Sequence, residues 1–230
     1  MSINEPKGYL EKQYNDILRL DQEIERFALG SMSNQVWHDD PKRLGFLLAR
    51  YKFVARMLCG RARVLEIGCA DAFGSRLVSK EVGQLVCSDF DTKFLEEIRA
   101  REEPWSFETF LWDPCEAPIE PNGFDAAYAL DVLEHIDPSM EEAFLGNIGL
   151  SLTNNGILIL GSPSLESQNY ASAQSKAGHV NCKTEDDLRN SCKRFFETVF
   201  IFGMNDEVLT TGFGPMCHYR FAICVSPLSL

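Results

Sequence analysis

Val64-Leu65-Glu66-Ile67-Gly68-Cys69-Ala70-Asp71-Ala72-Phe73-Gly74-Ser75 is the stretch that decides the fold of this chain. A short apolar run carrying one acid breaks at Gly68 into small residues and then enters a helical segment. A second apolar run, Leu85 to Ser88, ends in Asp89. A strand, a small-residue turn, a helix and a strand closed by an acid make the first unit of a nucleotide-binding sheet. There a glycine lets a ligand approach the backbone, and the acid accepts hydrogen bonds from ribose hydroxyls. A dinucleotide fingerprint needs glycines at the first, third and sixth positions of the turn. Those positions hold Gly68, Ala70 and Phe73, and a phenylalanine obstructs a pyrophosphate. The plain structural alternative is an ordinary strand–turn–helix with a buried acid.

Outward from this unit the pattern repeats. Phe124–Ala129 and Gly156–Leu160 read as further buried strands, and Thr92–Arg101 as a helix. Asp137-Pro138 opens another helix, carrying Met140, Phe144, Leu145 and Ile148. Thr184 caps one running to about Lys193, with Glu185, Asp186 and Asp187 in its first turn, where the helix dipole favours acids. Upstream, Asp40-Pro41 starts a helix with Leu44, Leu47, Leu48, Tyr51, Val54, Ala55 and Leu58 at helical spacing. Gly30-Ser31-Met32-Ser33-Asn34 reads as a break, and Pro6 to Leu29 as helix. Alternating strands and helices predict an α/β fold, a mostly parallel sheet with helices on both faces. Phe195–Phe202 and Tyr219–Val225, joined without a helix, predict an antiparallel ending. The organisation expected is a helical extension over 1–40 and one α/β domain over 41–230.

Lys and Arg number 22 against 34 Asp and Glu, a net charge of −12 over 230 residues. That balance disfavours a nucleic-acid backbone or an anionic membrane as partner and points to a small molecule. The eight cysteines form no C-x-x-C pair, and several lie in apolar runs. Buried reduced thiols fit better than a disulfide framework or a zinc site. With no signal segment and no apolar run of spanning length, the expectation is a cytoplasmic protein, monomeric or homodimeric.

With Glu66 two residues before Gly68, the first loop resembles the Glu/Asp-x-Gly-x-Gly-x-Gly loop of class I S-adenosylmethionine-dependent methyltransferases, two glycines being replaced by Ala70 and Ala72. The run Phe124-Asp125-Ala126-Ala127-Tyr128-Ala129-Leu130-Asp131-Val132-Leu133-Glu134-His135-Ile136 resembles their fourth strand and the Leu-Glu-His that follows it. Asn155-Gly156-Ile157-Leu158-Ile159-Leu160 resembles their turn into strand five. Together these cover about residues 41 to 226. The resemblance implies a seven-stranded Rossmann-like sheet with the last strand antiparallel, and S-adenosylmethionine as cofactor. It implies cofactor contacts at Glu66, Gly68, Cys69, Ala70 and Leu130, ribose at Asp89 with Phe90 beside it, and the adenine amino group at Asp113. Asp89 as a helix cap near Thr92, and Asp113 as a turn residue before Pro114, are the structural alternatives.

A closer resemblance lies in Trp37-His38-Asp39-Asp40-Pro41-Lys42-Arg43-Leu44, Leu130-Asp131-Val132-Leu133-Glu134-His135 and Gly178-His179. Together they resemble the ubiquinone-biosynthesis O-methyltransferases. It implies a cofactor contact for Arg43, whose alternative is a solvated helix position. Asp131, Glu134 and His135 stand at i, i+3 and i+4, one face of a helical turn, and His179 follows strand five at the same sheet edge. Related Glu-x-x-Glu-His sets bind Mg²⁺ in some quinone-family members and, with a distal His, metal in plant small-RNA 2′-O-methyltransferases. The resemblance thus implies a metal set of Asp131, Glu134, His135 and His179, for which Mg²⁺, Mn²⁺ or Zn²⁺ is suited. Metal-free relatives carry Leu-Glu-His-Ile as well, and there the imidazole packs or acts as a base.

The sulfonium methyl of the cofactor is already activated, so transfer is a direct displacement. A hydroxyl acceptor needs a general base, and His135 and His179 are the candidates. The Asn/Asp-Pro-Pro-aromatic motif of many nitrogen methyltransferases is absent after strand four, which favours oxygen: a sugar, nucleotide-sugar, phenol or natural-product intermediate. Residues 163–180 and 203–216 read as lid or acceptor loops. Two rivals remain at this level. One is a non-catalytic binding module, which the two loop alanines support. The other is an NAD-dependent oxidoreductase, disfavoured by Phe73 and by the lack of a Tyr-x-x-x-Lys pair.

Overall fold

Eight strands form one sheet in the order β3-β2-β1-β4-β5-β8-β6-β7 in the computed structural model, which describes residues 11–17, 27–101 and 107–229. The strands are β1 Arg63–Ile67, β2 Gln84–Asp89, β3 Glu108–Leu111, β4 Phe124–Leu130, β5 Leu152–Pro163, β6 Phe196–Asn205, β7 Val208–Thr210 and β8 Tyr219–Pro227. The first five pair in parallel. β8 is antiparallel to both β5 and β6, the ending anticipated from its two aromatic, β-branched runs. The short β7, antiparallel to β6 at the sheet edge, makes eight strands rather than seven. It takes up part of the expected 203–216 loop as a hairpin.

The helices are α1 Ser31–Asp39, α2 Lys42–Met57, α3 Ser75–Ser79, α4 Thr92–Ala100, α5 Glu141–Ser151, α6 Ala173–Gly178 and α7 Glu185–Lys193. Alternation along the central strands sends neighbouring side chains to opposite faces. Leu65 and Ile67 join a core with Phe144, Leu145 and Ile148 of α5 and Leu188 of α7. Val64 and Cys87 join one with Tyr51 and Val54 of α2, Leu58 at its C-cap, and Leu95 of α4. The sheet is thus buried on both faces, as a parallel sheet requires.

Thr184 caps α7 as its sequence implies, its Oγ1 accepting the Asp187 N–H. Asp137 instead closes a turn by accepting the Ser139 N–H, and α5 begins at Glu141. The expected break at 30–34 is replaced by α1. Its first-turn amides are satisfied from distant elements: Ser31 N donates to Glu97 of α4 (2.8 Å) and Ser33 N to Asp71 of the first loop (2.7 Å). Residues 12–17 are helical and 27–30 have no regular secondary structure. The rest of the helix expected over Pro6 to Leu29 lies outside the described residues.

Candidate active site

The loop after β1 is built from left-handed residues. Gly68 (φ +69°), Ala70 (+46°) and Ala72 (+52°) all take positive φ. For the two alanines this conformation costs roughly 1–2 kcal/mol each. Gly68 also has no room for a side chain, since a Cβ there would lie 2.5 Å from Val132 Cγ2. The turn is tied to β2: Gly68 N and Cys69 N both donate to the Ser88 carbonyl, and Ala70 N donates to Asp89 Oδ2 at 3.0 Å. Asp89 Oδ1 accepts the Asp91 N–H. The helix cap nearby is Asp91, which accepts from Lys93 N, so Asp89 serves the loop rather than the helix.

Above this loop lies a cavity of about 690 Å³, within the range of small-molecule sites. The structure brings Arg43, Gly68, Cys69, Ala70, Leu130, Asp131, Glu134, His135 and His179 to its walls. Glu66, Asp89, Phe90 and Asp113 stand outside the lining. Glu66 lies beneath the loop, accepting the Tyr51 hydroxyl at 2.8 Å. Asp89 is nearly buried under the rim, and Phe90 is 74% exposed. Asp113 accepts the Cys115 N–H at 2.8 Å, the turn role. Burial raises the Glu66 carboxyl above its usual range even though Tyr51 opposes the shift.

Beyond the loop, the segment after β4 turns sharply. Asp131 takes φ +57°, and Leu133–His135 forms one 3₁₀ turn. Asp131 does not stand free beside Glu134 as the metal set requires. Both its oxygens bond Arg50 Nη1, at 3.1 and 2.9 Å. Burial opposes the Arg50 charge, but Asp131, with Tyr219 and Glu134 beside it, more than offsets burial and the guanidinium pKa rises. The carboxylate is therefore committed to a cation of the protein itself.

Glu134 is in the opposite situation. It is 1% exposed, and neither carboxylate oxygen has a hydrogen-bond partner among the described residues. Burial, reinforced by Asp131, pushes its pKa well above the ordinary range. Its backbone carbonyl accepts the N–H groups of Val180 (2.8 Å) and Asn181 (3.0 Å). Those bonds hold the His179 segment against the 3₁₀ turn. One ligand atom each from Glu134, His135 and His179 lie within 4.8 Å of one another. The rings of the two histidines are 5.1 Å apart, edge to face. His135 Nδ1 meets the Gly178 carbonyl at 3.0 Å and His179 Nδ1 meets Gln168 Oε1 at 2.9 Å. Both contacts place a proton on Nδ1, so that in the neutral ring the lone pair falls on Nε2. Burial, then the neighbouring His135, lowers the His179 pKa.

Several residues around the cavity carry little or no local signal in the sequence. Arg50 is seven positions after Arg43 on α2 and shares its face, a spacing that marks it. Asp71, Tyr51 and Tyr219 act through contacts between elements remote in sequence, and no local pattern announces them. Among the described residues no helix is long and apolar enough to cross a membrane.

Residues 64–156 match a family model described as a methyltransferase domain. No curated protein matches the chain significantly. Among solved structures, the phosphoethanolamine N-methyltransferase 2 of Haemonchus contortus, bound to phosphomonomethylethanolamine and S-adenosylhomocysteine, is similar at TM-score 0.58 and 16% identity. That likeness covers 74% of this chain and 50% of that one, so the chain spans half of that enzyme. A Haloferax volcanii complex of the Trm112 methyltransferase activator with a putative methyltransferase gives TM-score 0.67 at 12% identity, covering 86% and 96%. The methyltransferase domain of bacterial CtHen1 gives 0.63 at 17%, covering 80% and 100%. The chain is built on the Rossmann-like class I methyltransferase fold, and its segment 64–156 matches the methyltransferase-domain family.

Proposed function

We propose that this chain transfers a methyl group from S-adenosylmethionine to a hydroxyl oxygen of a small-molecule acceptor. The observation that carries the reading is the orphaned Glu134 carboxyl beside two imidazoles with open Nε2 atoms, in the cavity that the Gly68–Asp71 loop floors. Cofactor binding is assigned to that loop with Arg43 and Leu130, and ribose to Asp89, whose oxygens each keep a lone pair beyond the amide they accept. Adenine falls to Asp113 and Phe90 at the adjoining edge. Kinship with the ubiquinone-biosynthesis O-methyltransferases is supported by the Trp37–Leu44 and Leu130–His135 runs. A net charge of −12 supports a soluble cytoplasmic acceptor over a nucleic acid.

In the reaction the acceptor oxygen attacks the methyl carbon in line with sulfur. The carbon–sulfur bond breaks with its electron pair passing to sulfur, which leaves neutral S-adenosylhomocysteine. The hydroxyl proton passes to the Nε2 lone pair of His135 or His179. His179 is suited to receive it, because burial favours its neutral form. Holding nucleophile, methyl and sulfur in line supplies roughly 7–11 kcal/mol, and general-base help adds about 10²–10⁴ in rate.

The donor set also fits a divalent cation. A buried carboxyl group without partners, ionised on metal binding, and two imidazoles would hold Mg²⁺, Mn²⁺ or Zn²⁺ through Glu134, His135 and His179. When bound, such an ion lowers the pKa of the acceptor hydroxyl. Asp131, engaged with Arg50, is not needed for it.

The test is a thermal-shift titration with S-adenosylhomocysteine beside NAD. Incubation of S-adenosylmethionine with hydroxyl and amine acceptor panels follows, with and without Mn²⁺, products being read by mass spectrometry. Expected are stabilisation by the homocysteine compound alone and a methyl ether product. An N-methylated product overturns the oxygen assignment. Tight cofactor binding with no product from any acceptor favours a binding module instead.

A further inference from the structure

We propose that Gln168 is the positioning residue for His179: it fixes the proton of the neutral imidazole on Nδ1 and so keeps the lone pair on Nε2. This rests on the reading that His179 serves the acceptor or a cation through Nε2. Free histidine side chains favour the other tautomer, with the proton on Nε2. The site therefore needs a device to invert that preference, and a nearby carbonyl or carboxylate is the common one for functional histidines.

Gln168 is fixed from its far end. Its Nε2 lies 3.2 Å from the Ser164 carbonyl and 3.3 Å from Ser167 Oγ, two oxygens that hold the NH₂ group. The amide oxygen is then left for His179 Nδ1 at 2.9 Å. An amide oxygen only accepts, so Nδ1 must donate. The anchor itself is rigid. Ser164 is fully buried, donating from N to the His218 carbonyl and from Oγ to the Cys217 carbonyl. Ser167 Oγ donates back to the Ser164 carbonyl at 2.8 Å. The 3₁₀ turn that carries Gln168, Glu166–Tyr170, is pinned at its start, where Glu166 accepts from the buried Arg220 at 2.8 Å. His135 gets its matching tautomer from a backbone carbonyl, that of Gly178, which no substitution removes. Gln168 is thus the side chain on which the pair's shared orientation depends.

The test reads the tautomer directly. Protein carrying ¹⁵N-labelled histidine, free of cofactor and metal, is examined by long-range ¹H–¹⁵N NMR near pH 8, where imidazole is neutral. The His179 signals are assigned by their loss in His179→Asn. Wild type is expected to show a protonated, pyrrole-type Nδ1 and a pyridine-type Nε2 at His179. Gln168→Glu keeps an acceptor and keeps this pattern. Gln168→Leu moves the proton to Nε2 while the thermal midpoint and the His135 signals stay. In parallel, Mn²⁺ affinity, read from the EPR signal of the free ion, is expected to fall about 10–100-fold in Gln168→Leu and to hold in Gln168→Glu. A wild-type His179 with its proton on Nε2, or an unchanged tautomer in Gln168→Leu, overturns the proposal. Absence of Mn²⁺ binding in wild type defeats the metal reading alone, because the tautomer still decides the role of Gln168.

Discussion

Arg50 closes on Asp131 through one guanidinium nitrogen, 3.1 and 2.9 Å from the two carboxylate oxygens, and its guanidinium carbon lies 3.8 Å from the centre of the Tyr219 ring. The pair bridges α2 and the end of β4 across the cavity wall. It divides the acids after β4 into two kinds: Asp131 is neutralised by the protein, and Glu134 is left without a partner.

That division makes Asp131→Asn informative. Asn tolerates the left-handed backbone at this position, so the change removes mainly a charge-assisted bond, at a cost of about 1.5–3 kcal/mol. A midpoint drop of about 2–4 °C per kcal/mol is expected for a chain of this size. Mn²⁺ affinity should survive in Asp131→Asn and vanish in Glu134→Gln. Equal losses in the two variants would return Asp131 to the ligand set.

Glu66 supplies a pH signature. Burial raises its native pKa above the unfolded value, and Tyr51 only partly opposes this. From about pH 4.3, the unfolded value, up through the raised native value, the native state holds more protons. The contribution of this group is therefore full below that window and is lost as pH rises through it. The slope is at most about 1.4 kcal/mol per pH unit. Glu66→Gln keeps the Tyr51 contact and removes the slope. Urea unfolding of both proteins between pH 4.5 and 7.5 checks this, and parallel curves would mean Glu66 ionises normally in the fold.

Much of the fold and part of the site were legible in the sequence, for a physical reason. Strand burial on both faces writes continuous apolar runs such as Val64–Ile67, and a local cap such as Thr184 sits beside the helix it starts. Gly68, Glu134, His135 and His179 were marked by residue type and by a shared sheet edge. What escaped is non-local. The start of α1 reads as a break in the sequence because its caps, Asp71 and Glu97, are 38 and 66 residues from the amides they accept. The spacing of Asp131 to Glu134 shows in the sequence, whereas its pairing with Arg50, 81 residues away, does not.

The same non-local cap predicts a coupling between α1 and the cofactor loop. Asp71 accepts Ser33 N, Ser33 Oγ and Phe73 N, and its carbonyl accepts from Arg101. Met32, Ser33 and Val36 of α1 roof the cavity. Asp71→Ala removes the cap and should lower stability by about 0.5–2 kcal/mol. Because the loop and the roof loosen together, S-adenosylhomocysteine affinity should fall as well. Ser33→Ala keeps the backbone bond to Asp71 and should show a smaller loss of both. Calorimetric titration of the two variants separates a coupled roof from a merely structural cap, for which affinity would stay constant.

Ala70 carries the last test, of whether the relaxed loop limits the cofactor. Its φ of +46° is one that glycine adopts freely and alanine does not. Ala70→Gly relieves roughly 1–2 kcal/mol of native strain but adds back about 0.5–1 kcal/mol of unfolded-chain entropy. The net is a gain of up to about 1.5 kcal/mol, since Ala70 is only half-buried and little packing is lost. Ala72 is the contrast: its methyl is fully buried, and deleting it forfeits about 0.8 kcal/mol of packing, which cancels the relief. Stability should therefore rise in Ala70→Gly and stay level in Ala72→Gly. If the Ala70 methyl also crowds the cofactor, affinity for S-adenosylhomocysteine rises in Ala70→Gly by more than the loop's stability gain requires. An unchanged affinity alongside a higher midpoint would mean that the alanines strain the loop without narrowing the site.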